Sequence, residues 1–177
     1  MAIFGIDRIL SSTAGQIAND YTGMYWYCPR SGSATDVSFY ANATAGTTTF
    51  QGMIYSRTAS TTGTLLEQTG VSGSINTTPQ WITLSLNASL SVTAGTIYWI
   101  ILWSGNAYDM VFDAIGATGQ AMNFTGATFS SPAVSFTGAV LFDSMISAYV
   151  TFTPTAEAAR SSSVGLSSEV GLSSYIL

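Results

Sequence analysis

The strongest constraint on this chain is a period of two. Along residues 36–42, Val37, Phe39 and Ala41 alternate with Asp36, Ser38, Tyr40 and Asn42, the pattern of a strand with one face buried and one face wet. Residues 81–86 repeat it, with Ile82, Leu84 and Leu86 on one side. Residues 146–152 repeat it again through Ile146, Ala148, Val150 and Phe152. Further strands are expected at residues 23–28, 48–55, 97–103, 110–113 and 134–142. Turns rich in Gly, Ser, Thr and Asn, such as 42–46 and 104–106, separate them. This predicts one all-β domain over residues 1–154, an antiparallel two-sheet sandwich with Ile82, Leu84, Leu86, Val150 and Phe152 inward. Short helical turns are expected only at residues 14–21 and after Pro154, where Thr153 and Pro154 suit the N-cap and first helical positions.

The run 97–103 is apolar on both faces, which predicts a central strand covered on each side, its outer cover being either a loop or another subunit. At seven residues it falls far short of the ~18 that would span a bilayer, so no membrane insertion is expected. Residues 1–10 contain Asp7 and Arg8 and lack the basic and apolar regions of a secretory signal. Either a signal has been removed or none is needed.

Beyond Pro154 the composition changes. Residues 155–177 form a linker and a tail in which Val-Gly-Leu-Ser-Ser recurs after six residues. In an extended tail Val164, Leu166, Val170, Leu172 and Ile176 share one face, whereas a six-residue repeat keeps no single face of a 3.6-residue helix and two glycines weaken one further. The thirteen residues 164–176 would reach roughly 43 Å at ~3.3 Å per residue, longer than a usual strand within a domain. A tail of this kind suits reaching a neighbour; the bland alternative is a low-complexity end.

Composition narrows the chemistry. Of 177 residues 49 are Ser or Thr, while the chain has four Arg, nine carboxylates, one Cys, no Lys and no His. No imidazole is available for base catalysis, no lysine for a Schiff base and no second thiol for an internal disulfide. A net charge of −5 with four scattered cations argues against nucleic acid. Glycoside hydrolysis needs only two carboxylates, but Asp109 and Asp113, the nearest pair, would stand roughly 13 Å apart on one strand face, beyond the inverting limit of about 9.5 Å. No enzyme is expected. Calcium is the one metal whose hard oxygen ligands the chain could supply, yet no loop has the Asp-x-Asp-x-Asp-Gly spacing, and no cofactor is expected.

Two binding features stand against plainer alternatives. Trp103, Asn106, Tyr108 and Asp109 combine aromatic faces with polar groups after a strand, as a glycan platform would. The alternative is that aromatics, including Trp26, Trp81 and Trp99, pack the sheets or a subunit interface. Asn42, Asn76, Asn87 and Asn123 each begin an Asn-x-Ser/Thr sequon, suggesting an exposed, glycosylated protein if the chain meets a glycosylation system. Cys28, beside Pro29, reads as a small buried hydrophobe.

The stretches 32–40 (Gly-Ser-Ala-Thr-Asp-Val-Ser-Phe-Tyr), 53–56 (Met-Ile-Tyr-Ser), 63–66 (Gly-Thr-Leu-Leu), 81–86 (Trp-Ile-Thr-Leu-Ser-Leu) and 94–100 (Ala-Gly-Thr-Ile-Tyr-Trp-Ile) resemble the jelly-roll β-sandwich domains, shaped like carbohydrate-binding modules, of phage and viral virion proteins and extracellular surface proteins. Phe4-Gly5 and the Ser-rich stretch after it resemble the start of such phage-type proteins. The resemblance covers under half of the chain and carries no binding residues. It implies a jelly roll and a non-enzymatic virion role: a capsid, decoration or fibre subunit that assembles with itself and with other virion proteins. The alternatives are a secreted or cell-surface carbohydrate-binding module, or an extracellular filament subunit joined by strand donation.

Overall fold

The structure, a computed structural model, describes residues 1–113, 120–125, 129 and 131–156. Among these residues there is no helix, hence none long and apolar enough to cross a membrane. The strands are β1 (Ala2–Gly5), β2 (Ser12–Gln16), β3 (Asp20–Tyr27), β4 (Gly32–Ala43), β5 (Phe50–Ala59), β6 (Thr62–Gln68) and β7 (Gln80–Val92). They continue as β8 (Ile97–Ser104), β9 (Tyr108–Asp113), β10 (Ala121–Thr125), β11 (Ser135–Phe136), β12 (Val140–Phe142), β13 (Met145–Ile146) and β14 (Ala148–Pro154).

Their pairing is nested. β2 pairs with β9, β3 with β8, β4 with β7 and β5 with β6, all antiparallel. One long hairpin rolled up in this way, then joined through β4 to β9 and β5 to β8, yields two sheets in the orders β2-β9-β4-β7 and β3-β8-β5-β6. This is the jelly roll. The last strands form a wedge in the first sheet: β13 pairs with β9, β14 pairs with β4, and β1 lines the far edge of β14. Ser147 is the pivot between the two, its N–H donating to Val111 O and its carbonyl accepting from Tyr40 N. In the second sheet β10 adds to β3, β12 to β10 and β11 to β6.

Alternation along β8 builds two cores. Tyr98, Ile100 and Leu102 point between the sheets, where they meet Val37, Phe39 and Val150. Trp99, Ile101 and Trp103 point outward and are equally buried, in a second cluster with Tyr21, Tyr55 and Phe136. The cover is the chain's own segment 131–142 with Phe129: β11 pairs with β6 and β12 with β10 at the two ends of the second sheet, which curls so that Phe136 meets Tyr55, Trp99 and Phe124. Tyr55 Oη donates to Ala133 O at 2.7 Å and Ala133 N donates to Tyr21 Oη at 3.0 Å, fixing this strap to the aromatics beneath it. Of the two covers the sequence left open for residues 97–103, the loop is the one found. The inward register is also as expected: Ile82, Leu86, Val150 and Phe152 are buried and Leu84 is half-buried against the same core. At Gly52 a Cβ would stand 3.2 Å from the Phe39 ring, so a side chain there would push that ring aside.

Two expectations are corrected. Residues 14–21 are strand, turn and strand rather than helix, because β2 is held along β9 and the chain reverses through residues 17–20, with Asn19 at φ 64° and Asp20 N bonded to Ile17 O. Thr153 and Pro154 do not cap a helix. They continue β14 opposite Ser33 and Gly32, and Thr155 N extends the contact to Ser31 O. The tail residues Val164, Leu166, Val170, Leu172 and Ile176 lie outside the described residues.

Ile100→Ala, at the fully buried centre of the sandwich, should cost about 2–5 kcal/mol in equilibrium denaturant unfolding. The half-buried Leu84→Ala should cost clearly less, and equal losses would place the centre of the core elsewhere.

Candidate functional site

The four residues expected to form a glycan platform do not share an open surface. Trp103 is fully buried under the strap, stacked on Tyr21 at 4.6 Å and 15°. Tyr108, also fully buried, points between the sheets against Phe50. Asp109 is half-buried and accepts from Asn42 Nδ2 and Thr44 Oγ1, and Asn106 alone is exposed. The reason is that Trp103 lies on the doubly covered β8, where either face is core, while Tyr108 opens β9 of the first sheet at an inward-facing position. Trp99 lies in the strap core, Trp26 borders the sandwich core, and Trp81 is half-buried on the outer face of the first sheet, packed between Tyr40 and Tyr149.

The carboxylates are held by donors. Asp113 accepts from both the backbone N–H and the hydroxyl of Ser11, and these bonds hold its carboxyl below the usual range. A general acid needs the opposite shift. Asp36 accepts from Ser85 Oγ and Thr35 Oγ1. Among the described residues no three His, Cys, Asp or Glu side chains gather as metal ligands. Cys28 is buried with its thiol directed at Arg30 O, and burial pushes its pKa up.

What the structure does assemble is a cleft of about 320 Å³ on the side of the sandwich where β2 of one sheet faces β10 and β12 of the other. Its apolar wall is Met110, Phe112, Met122, Phe142 and Ile146, and its polar wall is Gln16, Thr22, Asn123 and Ser144. A relay of hydrogen bonds ties the polar wall together. Tyr108 Oη donates to Thr22 Oγ1 at 3.0 Å, Thr22 Oγ1 to Gln16 Oε1 at 3.0 Å, and Asn123 Nδ2 to both Gln16 Oε1 at 3.1 Å and Asp20 Oδ2 at 3.2 Å. Members of β9, β3, β2 and β10 are thereby joined across both sheets. The buried Asn123 Oδ1 has no partner among the described residues. Ile17, directly after Gln16, is 63% exposed, and Val140 and Phe142 on β12 are 60% and 46% exposed.

The sequons divide into two kinds. Asn42 is buried, its amide donating to Ala43 O and Asp109 Oδ2, and the Asn123 amide is committed to the relay, so modification of either would break buried bonds. Asn76 and Asn87 are exposed, and Asn76 Oδ1 accepts from Thr78 N in a tight turn. No known protein-family model matches the sequence, and the search of curated proteins finds no significantly similar protein.

Expressed in a host with N-glycosylation, the chain should gain glycan at Asn76 and Asn87 and none at Asn42 or Asn123, as peptide mass mapping would show. A glycan on Asn123 would mean the relay is not formed. Burial, first of all, pushes the Tyr55 and Tyr108 phenols well above the ordinary value, with the Thr22 hydrogen bond partly offsetting it for Tyr108. Folded, both stay neutral where the unfolded chain ionises near pH ~10. Their stability is complete below that pH and is lost as pH rises, by up to about 1.4 kcal/mol per pH unit for each. The chain has no lysine to share this titration. Tyr108→Phe should therefore flatten the alkaline fall in Tm, and an unchanged slope would contradict its burial.

Proposed function

We propose that this chain is a non-enzymatic structural subunit of a virion, a capsid, decoration or fibre protein that assembles with its own copies through the sandwich and the tail. The single observation that carries the reading is the nested pairing of β2 to β9, a compact jelly roll with a second layer over its outer face. The resemblance of residues 32–100 to phage and viral sandwich domains supports the virion setting. The hydroxyl-rich surface and the amphipathic repeat at 164–177 support repeated association rather than catalysis. Donor-held Asp113 and Asp36 also suit a passive surface better than an acid-base pair.

A second reading, glycan binding at a cell surface, is favoured by one specific feature. Tyr40, Trp81 and Tyr149 stand half-buried together on the outer face of the first sheet, beside the exposed Thr83 and Ser85. Aromatic rings among hydroxyls can stack on a sugar face and bond its rim.

Electron microscopy of the native full-length protein, with sedimentation over a concentration series, separates the readings. The virion reading predicts closed shells, or regular fibres. A protein that stays monomeric at every concentration and binds a polysaccharide in a Trp81-dependent way would replace it with the second.

A further inference from the structure

Two backbone edges flank the cleft described above. Among the described residues β2 pairs only with β9 and β12 only with β10, so the outer edge of each is unpaired where the two sheets part. Unpaired edges beside exposed Ile17, Val140 and Phe142 are a combination that soluble proteins ordinarily cover. Among the described residues the lining of the cleft holds no charged side chain, and no donor reaches the buried Asn123 Oδ1.

The chain carries a segment of matching chemistry. Residues 164–176, extended, present Val164, Leu166, Val170, Leu172 and Ile176 on one face and place Glu169, the only charge among them, on the other. Such a strand offers apolar side chains at five of the seven positions of that face, Ser168 and Ser174 being the other two, and a row of backbone N–H groups, which is what an apolar cleft with open edges receives in strand addition.

Geometry separates a copy's own cleft from a neighbour's. Ile146 lines the cleft and Thr155 N is bonded to Ser31 O, so the wedge strand carries the chain nine residues away, roughly 30 Å at ~3.3 Å per residue. From Thr155 on to Val164 is nine residues again, roughly 30 Å when fully taut. Returning to its own cleft would stretch the linker to its limit, whereas a neighbouring copy has no such requirement.

We propose that the cleft between β2 and β12 is the receptor for residues 164–176 of a second copy, which add as a strand along these edges and insert alternate apolar side chains against Met110, Phe112 and Ile146. The inference rests on the assembly reading and names the surface that receives the tail.

Copies of the full chain carrying Ala14→Cys, on the β2 wall of the cleft, are mixed with copies carrying Val170→Cys, Leu172→Cys or Ser174→Cys and oxidised. In parallel, Ala14→Trp is made to fill the cleft, with its fold checked by circular dichroism. The proposal expects a disulfide-linked pair of copies from at least one mixture, and loss of assembly in a folded Ala14→Trp protein. Cross-linking confined to one copy, in a chain carrying both cysteines, would overturn it in favour of a tail that fills its own cleft. If the wild type assembles, no mixture cross-links and Ala14→Trp assembles as well as wild type, the cleft is not the receptor while the assembly reading stands. If the wild type never assembles, both fall.

Discussion

Strand β8 has no polar side chain between its first turn into the sheet and Ser104 other than the Tyr98 hydroxyl and the indole N–H groups, and both of its faces have to be kept from water. Burying a large apolar side chain stabilises by about 1.5–3 kcal/mol, so leaving either face open would forfeit several such terms in a fold of marginal stability. The inner face is met by the opposing sheet, through Val37, Phe39 and Val150. The outer face is met by the strap, through Phe129 and Phe136. Arg57 completes that outer layer, its guanidinium 4.4 Å from the Tyr25 ring centre and 5.7 Å from that of Trp99. The aromatic richness of the sequence is thus spent chiefly on structure, and the half-buried Tyr40, Trp81 and Tyr149 form an aromatic cluster on the outer face of the first sheet.

The wedge of β13 and β14 has a consequence for the cleft. It enters the first sheet where β4 and β9 separate beyond their paired residues 41–43 and 108–110, and Ser147, fully buried, locks it to both neighbours. β9 and β2 then lie toward the side where β10 and β12 extend the second sheet. The relay from Tyr108 to Asp20 joins the sheets at that point without filling the space, so the apolar wall of Met110, Phe112 and Ile146 stays open beside a polar one.

Much of the strand content was legible, because a half-buried strand announces itself by alternation. β4, β7 and β14 were read in the correct register from Val37, Ile82 and Val150, and the double covering of β8 followed from its lack of any polar face. The edge strand β2 was not legible. β2 reads Ser-Thr-Ala-Gly-Gln, with no apolar face, and is a strand only because β9 supplies its hydrogen-bond partners. The cleft was invisible for a related reason: Gln16, Thr22, Tyr108 and Asn123 are far apart in sequence, and only the pairing of four strands brings them together. Asn123 was marked as a sequon, yet its amide is structural. Trp103 and Tyr108 looked like a platform because one strand end and its loop carried aromatic and polar residues side by side, and spacing alone does not say that Trp103 enters the covered outer face of one sheet and Tyr108 the inner face of the other.

The central claim, that β8 is sealed on both faces by the chain's own layers, is tested most directly by native-state hydrogen exchange resolved along the chain. The account predicts that the β8 amides exchange only through global unfolding, with the full unfolding free energy, while amides of the edge strand β7 open at lower cost. Should residues 99–103 exchange through a low-energy local opening, the strap would not be a permanent layer, and the outer face of β8 would be a surface awaiting another partner.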